Sequence, residues 1–102
     1  MIDSKQLRAD ILSDGEEDYT GLYEIVWSLN RKYPDVSREA KLTEARTVFA
    51  DLLRENRVSV FETTWGSSNY RSVPKAEATS ALRNDSAWAD PTEKPYLCFL
   101  TA

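Results

Sequence analysis

The chain has 102 residues, of which 41% are hydrophobic and 11% aromatic, and its formal net charge is −4. This length predicts a single domain, residues 1–102, with enough apolar side chains for one core without metals or disulfides. The sequence contains no histidine, which is the commonest general base and metal ligand in enzymes. No charged leader followed by an apolar run opens the chain, so we expect a cytoplasmic protein.

Negative charge is concentrated in the first third of the chain. Residues 1–30 hold seven acidic and two basic side chains, a net charge of −5, whereas the remainder carries +1. The densest acidic group is Asp14, Glu16, Glu17 and Asp18. A surface of this sign repels nucleic acid and attracts basic proteins, over a range of about 10 Å at moderate salt.

The first two predicted helices flank this acidic group. Asp3, with Gln6 three residues later, predicts a capping box for a helix over 4–13 that ends at Asp14-Gly15. The acidic residues then form a polar loop before a second helix over 19–32, where they suit the positive end of the helix dipole. The second helix has one apolar stripe and, beside it, a second stripe made of Tyr23 and Trp27. This second stripe either lies under a later segment of the chain or stays exposed as an aromatic patch.

A third helix is predicted over 38–56, with Ser37 as its N-cap. Its apolar arc, which includes Phe49, is typical of the central helix of a core. On a helical wheel its outward face is neutral to acidic, whereas Arg38 and Arg46 lie close to the buried side. The outward residues are Ala40, Thr43, Glu44, Thr47, Asp51 and Arg54.

Strand patterns appear only after these helices. Residues 58–65 and 96–101 are rich in β-branched and aromatic side chains. Between them, Pro74 is placed to begin a short fourth helix over 74–83, and we expect Trp88 to anchor the loop that follows. The order predicts an α+β, winged-helix-like domain of three helices, with the fourth helix inserted in a small antiparallel β-ribbon.

Several short segments carry a resemblance to a known group of proteins. Their spacing resembles that of small uncharacterised bacterial proteins thought to be winged-helix-like, and the similarity covers most of the chain. It implies a fold and carries no functional residues over to this sequence. The segments are Leu22-Tyr23-Glu24-Ile25-Val26-Trp27, Tyr33-Pro34, Leu52-Leu53, Trp65-Gly66, Asp85 with Trp88, and Pro95-Tyr96.

The residues that could support catalysis or metal binding favour neither. Cys98 lies in a run of apolar residues, which indicates a buried and inert thiol. The acidic group has no apolar neighbour to raise a carboxyl pKa and lacks the spacing of an EF-hand loop. We therefore predict a protein that is not an enzyme and has no cofactor or metal.

Two binding functions remain. The acidic group, together with Tyr23, Trp27, Trp65 and Tyr70, favours a protein-binding module with a basic partner. An immunity or inhibitor protein that neutralises a nuclease-type toxin fits its size and acidity. The alternative is a winged-helix transcriptional regulator that contacts DNA through Arg38, Lys41, Arg46 and Arg71, although Glu44 and Asp51 on the presumed reading helix oppose it.

Overall fold

Four α-helices and four short strands make up the part of the chain that the computed structural model describes, residues 2–92 and 94–102. The α+β class predicted from the sequence is confirmed. In chain order the elements are α1 (Ser4–Glu17), β1 (Thr20–Gly21), α2 (Leu22–Lys32), α3 (Arg38–Arg54), β2 (Val58–Thr63), β3 (Arg71–Ser72), α4 (Lys75–Ala81), a 3-10 helix (Asp85–Trp88) and β4 (Tyr96–Thr101).

The strands form one antiparallel sheet in the order β1-β4-β2-β3. Its centre is the long pairing of β2 with β4, which runs in register from Val58 opposite Thr101 to Thr63 opposite Tyr96. These are the two strands that the sequence predicted, and α4 lies between them in the chain. The strands β1 and β3, each of two residues, extend this ribbon by one strand on either side.

The core lies between the helices and one face of the sheet. Phe49 of α3 is fully buried at its centre, as predicted for the central helix. Its ring meets the rings of Trp88 and Phe99 edge-on, with centroid distances of 6.2 Å and 5.2 Å. Such pairs contribute about 0.5–1.5 kcal/mol each beyond the apolar area that they bury.

The first helix begins where the sequence predicted but does not end there. The Asp3 carboxylate caps it by accepting from the backbone N–H groups of Lys5 and Gln6, both at 3.1 Å. The predicted stop at Asp14-Gly15 is wrong, because α1 continues to Glu17. Gly15 is buried against β4, and a glycine inside a helix costs only about 1 kcal/mol.

The second helix begins at Leu22, three residues later than predicted. Thr20 and Gly21 instead pair with Phe99 and Cys98 of β4, so sheet hydrogen bonds replace the first helical turn. The Glu24 carboxylate accepts from the Gly21 N–H at 2.7 Å and thereby caps the helix. The predicted acidic approach to α2 is also wrong, since Asp14, Glu16 and Glu17 belong to α1.

The remaining boundaries differ from prediction by no more than two residues. Ser37 caps α3 as predicted, accepting from the Ala40 N–H at 3.2 Å. Strand β2 ends at Thr63, before Trp65, and Pro74 is the N-cap of α4 rather than its first residue. The prediction that Trp88 anchors its loop is confirmed, because its side chain is buried.

Candidate functional site

Seven of the eleven aromatic residues of the chain lie on the side of the sheet that faces away from the core. We call this group the aromatic face; it consists of Tyr19, Tyr23, Trp27, Phe61, Trp65, Tyr70 and Tyr96. Most of the aromatic content therefore lies outside the core that the helices enclose.

Strand alternation produces this face. Successive side chains of a strand point to opposite sides of the sheet. Leu97 and Phe99 of β4 belong to the core, so Tyr96 and Cys98 point outward. Phe61 of β2 lies opposite Cys98 in the register and is therefore on the same outward side.

One row of rings crosses the face from α2 to the turn after β2. Tyr23 meets Trp27 edge-on at 4.8 Å and Tyr96 at 5.7 Å, and Trp65 lies 6.5 Å from Tyr96. Tyr23 is buried within this row. The rings at its two ends are exposed, Trp27 by 43% and Trp65 by 66%.

A second row covers the neighbouring part of the sheet. Tyr70 stacks on Tyr19 with a centroid distance of 3.8 Å, and Tyr19 meets Phe61 edge-on at 5.1 Å. Tyr70 remains 38% exposed. In both rows each exposed ring contacts a buried or partly buried aromatic neighbour.

The structure brings together the four aromatic residues that the sequence selected: Tyr23, Trp27, Trp65 and Tyr70. It adds Tyr19, Phe61 and Tyr96, which sequence reasoning missed as site residues. The alternation of Tyr96 with Leu97 in a strand could have placed Tyr96 on this face. Tyr19 carried no such signal, because it was predicted to be the first residue of the second helix rather than a neighbour of the sheet.

Acidic side chains border the aromatic face. The Trp27 indole nitrogen Nε1 donates to the Asp90 carboxylate at 2.7 Å. Burial, and then the nearby carboxylate of Glu24, raise the pKa of Tyr23 to about 12, so its hydroxyl stays neutral. Asp18 was expected in the site, whereas Glu24 and Asp90 were not.

The residues of the predicted acidic group do not all lie in one site. Asp14 and Glu17, with Glu24 and Trp27, line an open groove of about 540 Å³ between α1 and α2. Glu16 is exposed elsewhere on the same turn. The groove is not purely acidic, since Arg31 and Lys32 also line it and Lys32 pairs with Asp10.

The surroundings of Asp14 in the groove alter its pKa. Partial desolvation, and then the charge of Asp10, raise its pKa, while Lys32 and Arg31 oppose the shift. Asp14, Glu16 and Glu17 also occupy the last turn of α1, the negative end of the helix dipole, where each acidic residue costs up to about 1 kcal/mol. These carboxylates therefore lower the stability of α1.

Cys98 is buried beneath the aromatic face, as the sequence predicted. Its side chain is 2% exposed, and its Sγ lies 3.7 Å from the carbonyl oxygen of Phe61. Burial raises the pKa of the thiol to about 12, with smaller contributions from Glu24 and Asp18. Thiols react as thiolates, so this cysteine is not an activated nucleophile.

The basic residues of the DNA-binding alternative are mostly engaged within the protein. Lys41 is 5% exposed and its Nζ donates to Asn30 Oδ1 at 3.1 Å. Arg46 pairs with Asp85, and Arg71 pairs with both Glu62 and Glu77 at 3.0 Å and 2.8 Å. Arg38 is exposed at the start of α3.

Residues 2–92 and 94–102 provide neither a metal site nor a membrane-spanning helix. No group of three or more histidine, cysteine or acidic side chains there is arranged to hold a metal ion. Nor does that part of the chain contain a helix whose length and apolar character would let it cross a membrane.

Comparison with known proteins adds no relative: a scan against protein-family models finds no match, and neither do searches of curated proteins and of solved structures.

Proposed function

We propose that the protein is a non-catalytic binding module that uses its aromatic face, with the acidic side chains beside it, to bind a basic protein. The observation that carries this proposal is the exposure of Trp27, Trp65 and Tyr70 on one face. Large exposed aromatic side chains held in place by neighbours are typical of the residues that supply most of the affinity in protein interfaces.

Charge supports the choice of a basic partner. The carboxylates of Glu24 and Asp18 lie close enough to Cys98, beneath the face, to raise the pKa of its thiol. The Asp90 carboxylate accepts a hydrogen bond from Trp27. Complementary charge of this kind accelerates encounter and excludes partners of the same sign. The acidic residues in the last turn of α1 add to this negative charge. They reduce the stability of the helix, and a role in binding would explain why acidic residues occupy these positions.

The narrower proposal is an immunity or inhibitor protein that neutralises a nuclease-type toxin. A nuclease that binds phosphates has a basic surface, and an acidic module that covers this surface would block its substrate. The excess of acidic residues within 1–30 motivates this step. We place such a protein in the cytoplasm of a bacterium, beside the nucleic acid that it protects.

The alternative proposal is a winged-helix transcriptional regulator. The order α1-β1-α2-α3 followed by the β2/β4 ribbon, with β1 paired to β4, supports a winged-helix-like fold. The engagement of Lys41, Arg46 and Arg71 within the protein gives this alternative less support. Binding to a random DNA duplex, measured by fluorescence anisotropy at low salt, tests it directly.

The test of the protein-binding proposal uses a panel of catalytically inactive nuclease domains of bacterial toxins, including any that a neighbouring gene encodes. Their association with this protein is measured by biolayer interferometry at several salt concentrations. Glu17→Lys reverses a charge in the groove that contains Trp27, whereas Glu16→Lys makes the same change outside it. We expect Glu17→Lys to slow association more than Glu16→Lys, and raised salt to reduce the difference.

Trp65→Ala is the companion variant for the aromatic face. Because Trp65 is 66% exposed, its removal should leave the folded protein intact while weakening binding by about 2 kcal/mol or more. An association rate and salt dependence unchanged in Glu17→Lys, together with an affinity unchanged in Trp65→Ala, would show that this face is not the binding surface.

A further inference from the structure

An open groove of about 570 Å³ lies between the two exposed indoles of the aromatic face. Trp27 of α2 and Trp65 after β2 line it, with Thr64, Asp90, Pro91 and Thr92. The two indole rings and Pro91 give the groove flat apolar surfaces, and Asp90 adds a negative charge to its lining. The two indoles come from distant parts of the chain and are linked through Tyr23 and Tyr96.

The hydrogen-bonding groups of the groove determine what can enter it. The one donor of the Trp27 indole is already used, because Nε1 donates to Asp90 Oδ1. A carboxylate has about four acceptor sites on its two oxygens, so Asp90 can accept further hydrogen bonds. The hydroxyls of Thr64 and Thr92 can either donate or accept, so Asp90 supplies the only charge among the residues that line the groove. The ligand that matches this lining best brings positive charge, donors for Asp90 and a flat surface that can lie against an indole.

We propose that the groove binds an arginine side chain of the partner, with its guanidinium against Trp27 or Trp65 and its N–H groups donating to Asp90. This inference rests on the proposed function, because it identifies the anchor of the basic partner. Guanidinium has five donors and no acceptor, is always charged and stacks on aromatic faces. Lysine is a less suitable occupant, because its ammonium is compact and strongly hydrated.

The chain contains its own internal control for a test. It has three tryptophans, and each indole N–H gives a separate signal in a ¹⁵N-correlated NMR spectrum. Trp27 and Trp65 line the groove, whereas Trp88 is buried in the core with its Nε1 donating to the Leu82 carbonyl at 3.0 Å. The probes are three blocked tripeptides, glycine-X-glycine, where X is arginine, lysine or citrulline, the last being a neutral analogue of arginine.

We expect the arginine peptide to shift the Trp27 and Trp65 signals in a saturable manner and to leave the Trp88 signal in place. The citrulline peptide should bind about tenfold more weakly, because it loses both the cation–π attraction and the charge pairing. Asp90→Asn retains an acceptor for the Trp27 indole but removes the charge, so it should weaken arginine binding by about fivefold. Trp65→Ala should weaken it similarly.

Three results would overturn the arginine site: no shift of either indole signal, equal binding of arginine and citrulline peptides, or equal binding of arginine and lysine peptides. These are separable from the fate of the proposed function. If nuclease domains bind and respond to Glu17→Lys while the arginine peptide fails, only the arginine site is lost. If the arginine peptide binds and no basic protein does, the site stands and the proposed function is lost.

Discussion

Gly15 of α1 lies directly against Thr101 of β4. A Cβ atom at Gly15 would come within 2.5 Å of Thr101 Oγ1 and within 2.8 Å of both the Thr101 nitrogen and the Phe99 ring. Thr101 also donates through Oγ1 to the Leu12 carbonyl at 2.6 Å. The last strand is thus fixed to the first helix at a point where only a glycine leaves enough room.

Whether Gly15→Ala raises or lowers the free energy of unfolding tests this packing. In an ordinary helix Gly→Ala stabilises by about 1 kcal/mol, but here the added methyl meets backbone as well as side chains. We expect Gly15→Ala to lower the free energy of unfolding by about 1–3 kcal/mol, measured by urea denaturation. Ser13→Ala, at an exposed position of α1, is the control and should be neutral or slightly stabilising. A stabilised Gly15→Ala variant would contradict the packing.

Asp14 is expected to destabilise the fold when it is ionised. Its pKa is raised in the folded state, so the folded protein favours the protonated form. Asp14→Asn should therefore stabilise the protein at pH 7, by some tenths of a kcal/mol up to about 1, because the side chain is still exposed.

The pH dependence of this gain follows from the direction of the shift. The penalty develops as pH rises through the unfolded pKa, about 3.9, towards the higher folded pKa, and is complete above that value. The gain from Asp14→Asn should therefore vanish near pH 3, as measured by thermal unfolding across a pH series. Glu16→Gln, in the same helical turn, is the matched control and should show a smaller effect. A gain that is independent of pH would point to a cause other than ionisation.

Cys98 should resist alkylation in the native protein. With its pKa raised to about 12, the fraction of thiolate at pH 8 is about three orders of magnitude below that of an ordinary cysteine. We expect iodoacetamide to leave the folded protein unmodified under conditions that modify it fully in urea, as followed by mass spectrometry. Rapid modification of the native chain would show that this side of the sheet opens readily.

The carbonyl of Leu82 accepts hydrogen bonds from Arg46 Nε and Trp88 Nε1, both at 3.0 Å. Arg46 also pairs with Asp85, which is largely exposed. Arg46→Ala should cost about 1–2 kcal/mol of unfolding free energy, because it removes a partly buried hydrogen bond and the pair. Asp85→Ala, which removes only the pair, should cost less than about 1 kcal/mol. Equal costs for the two variants would assign the stabilisation to the ion pair rather than to the loop carbonyl.

Local sequence patterns were sufficient to predict most of the elements. The apolar stripe of α2, the Ser37 cap and the β-branched residues of β2 and β4 act over a few neighbouring residues. Where a distant contact decides the local structure, prediction failed. The local pattern Asp14-Gly15 predicts a helix stop. The contact of Gly15 with Thr101, which explains the glycine inside α1, lies at the other end of the chain and leaves no local signal.

The candidate site was likewise predictable only where local sequence was sufficient. The sequence indicated Tyr23, Trp27, Trp65 and Tyr70 as candidate aromatic anchors and located the negative charge near the first two helices, although Tyr23 is buried. It could not show that Asp90 accepts from Trp27, 63 residues away, nor that Tyr96 links Tyr23 to Trp65.

Composition and periodicity by themselves determined the class of fold, the excess of acid and the apolar faces of α2 and α3. The tertiary structure decided which side chains meet. Pairing of β4 with both β1 and β2 brings α2, the turn after β2 and the last strand to one face. The physical reason is that hydrophobic periodicity specifies which side of an element is buried, whereas the partner of each exposed side chain depends on contacts between distant segments.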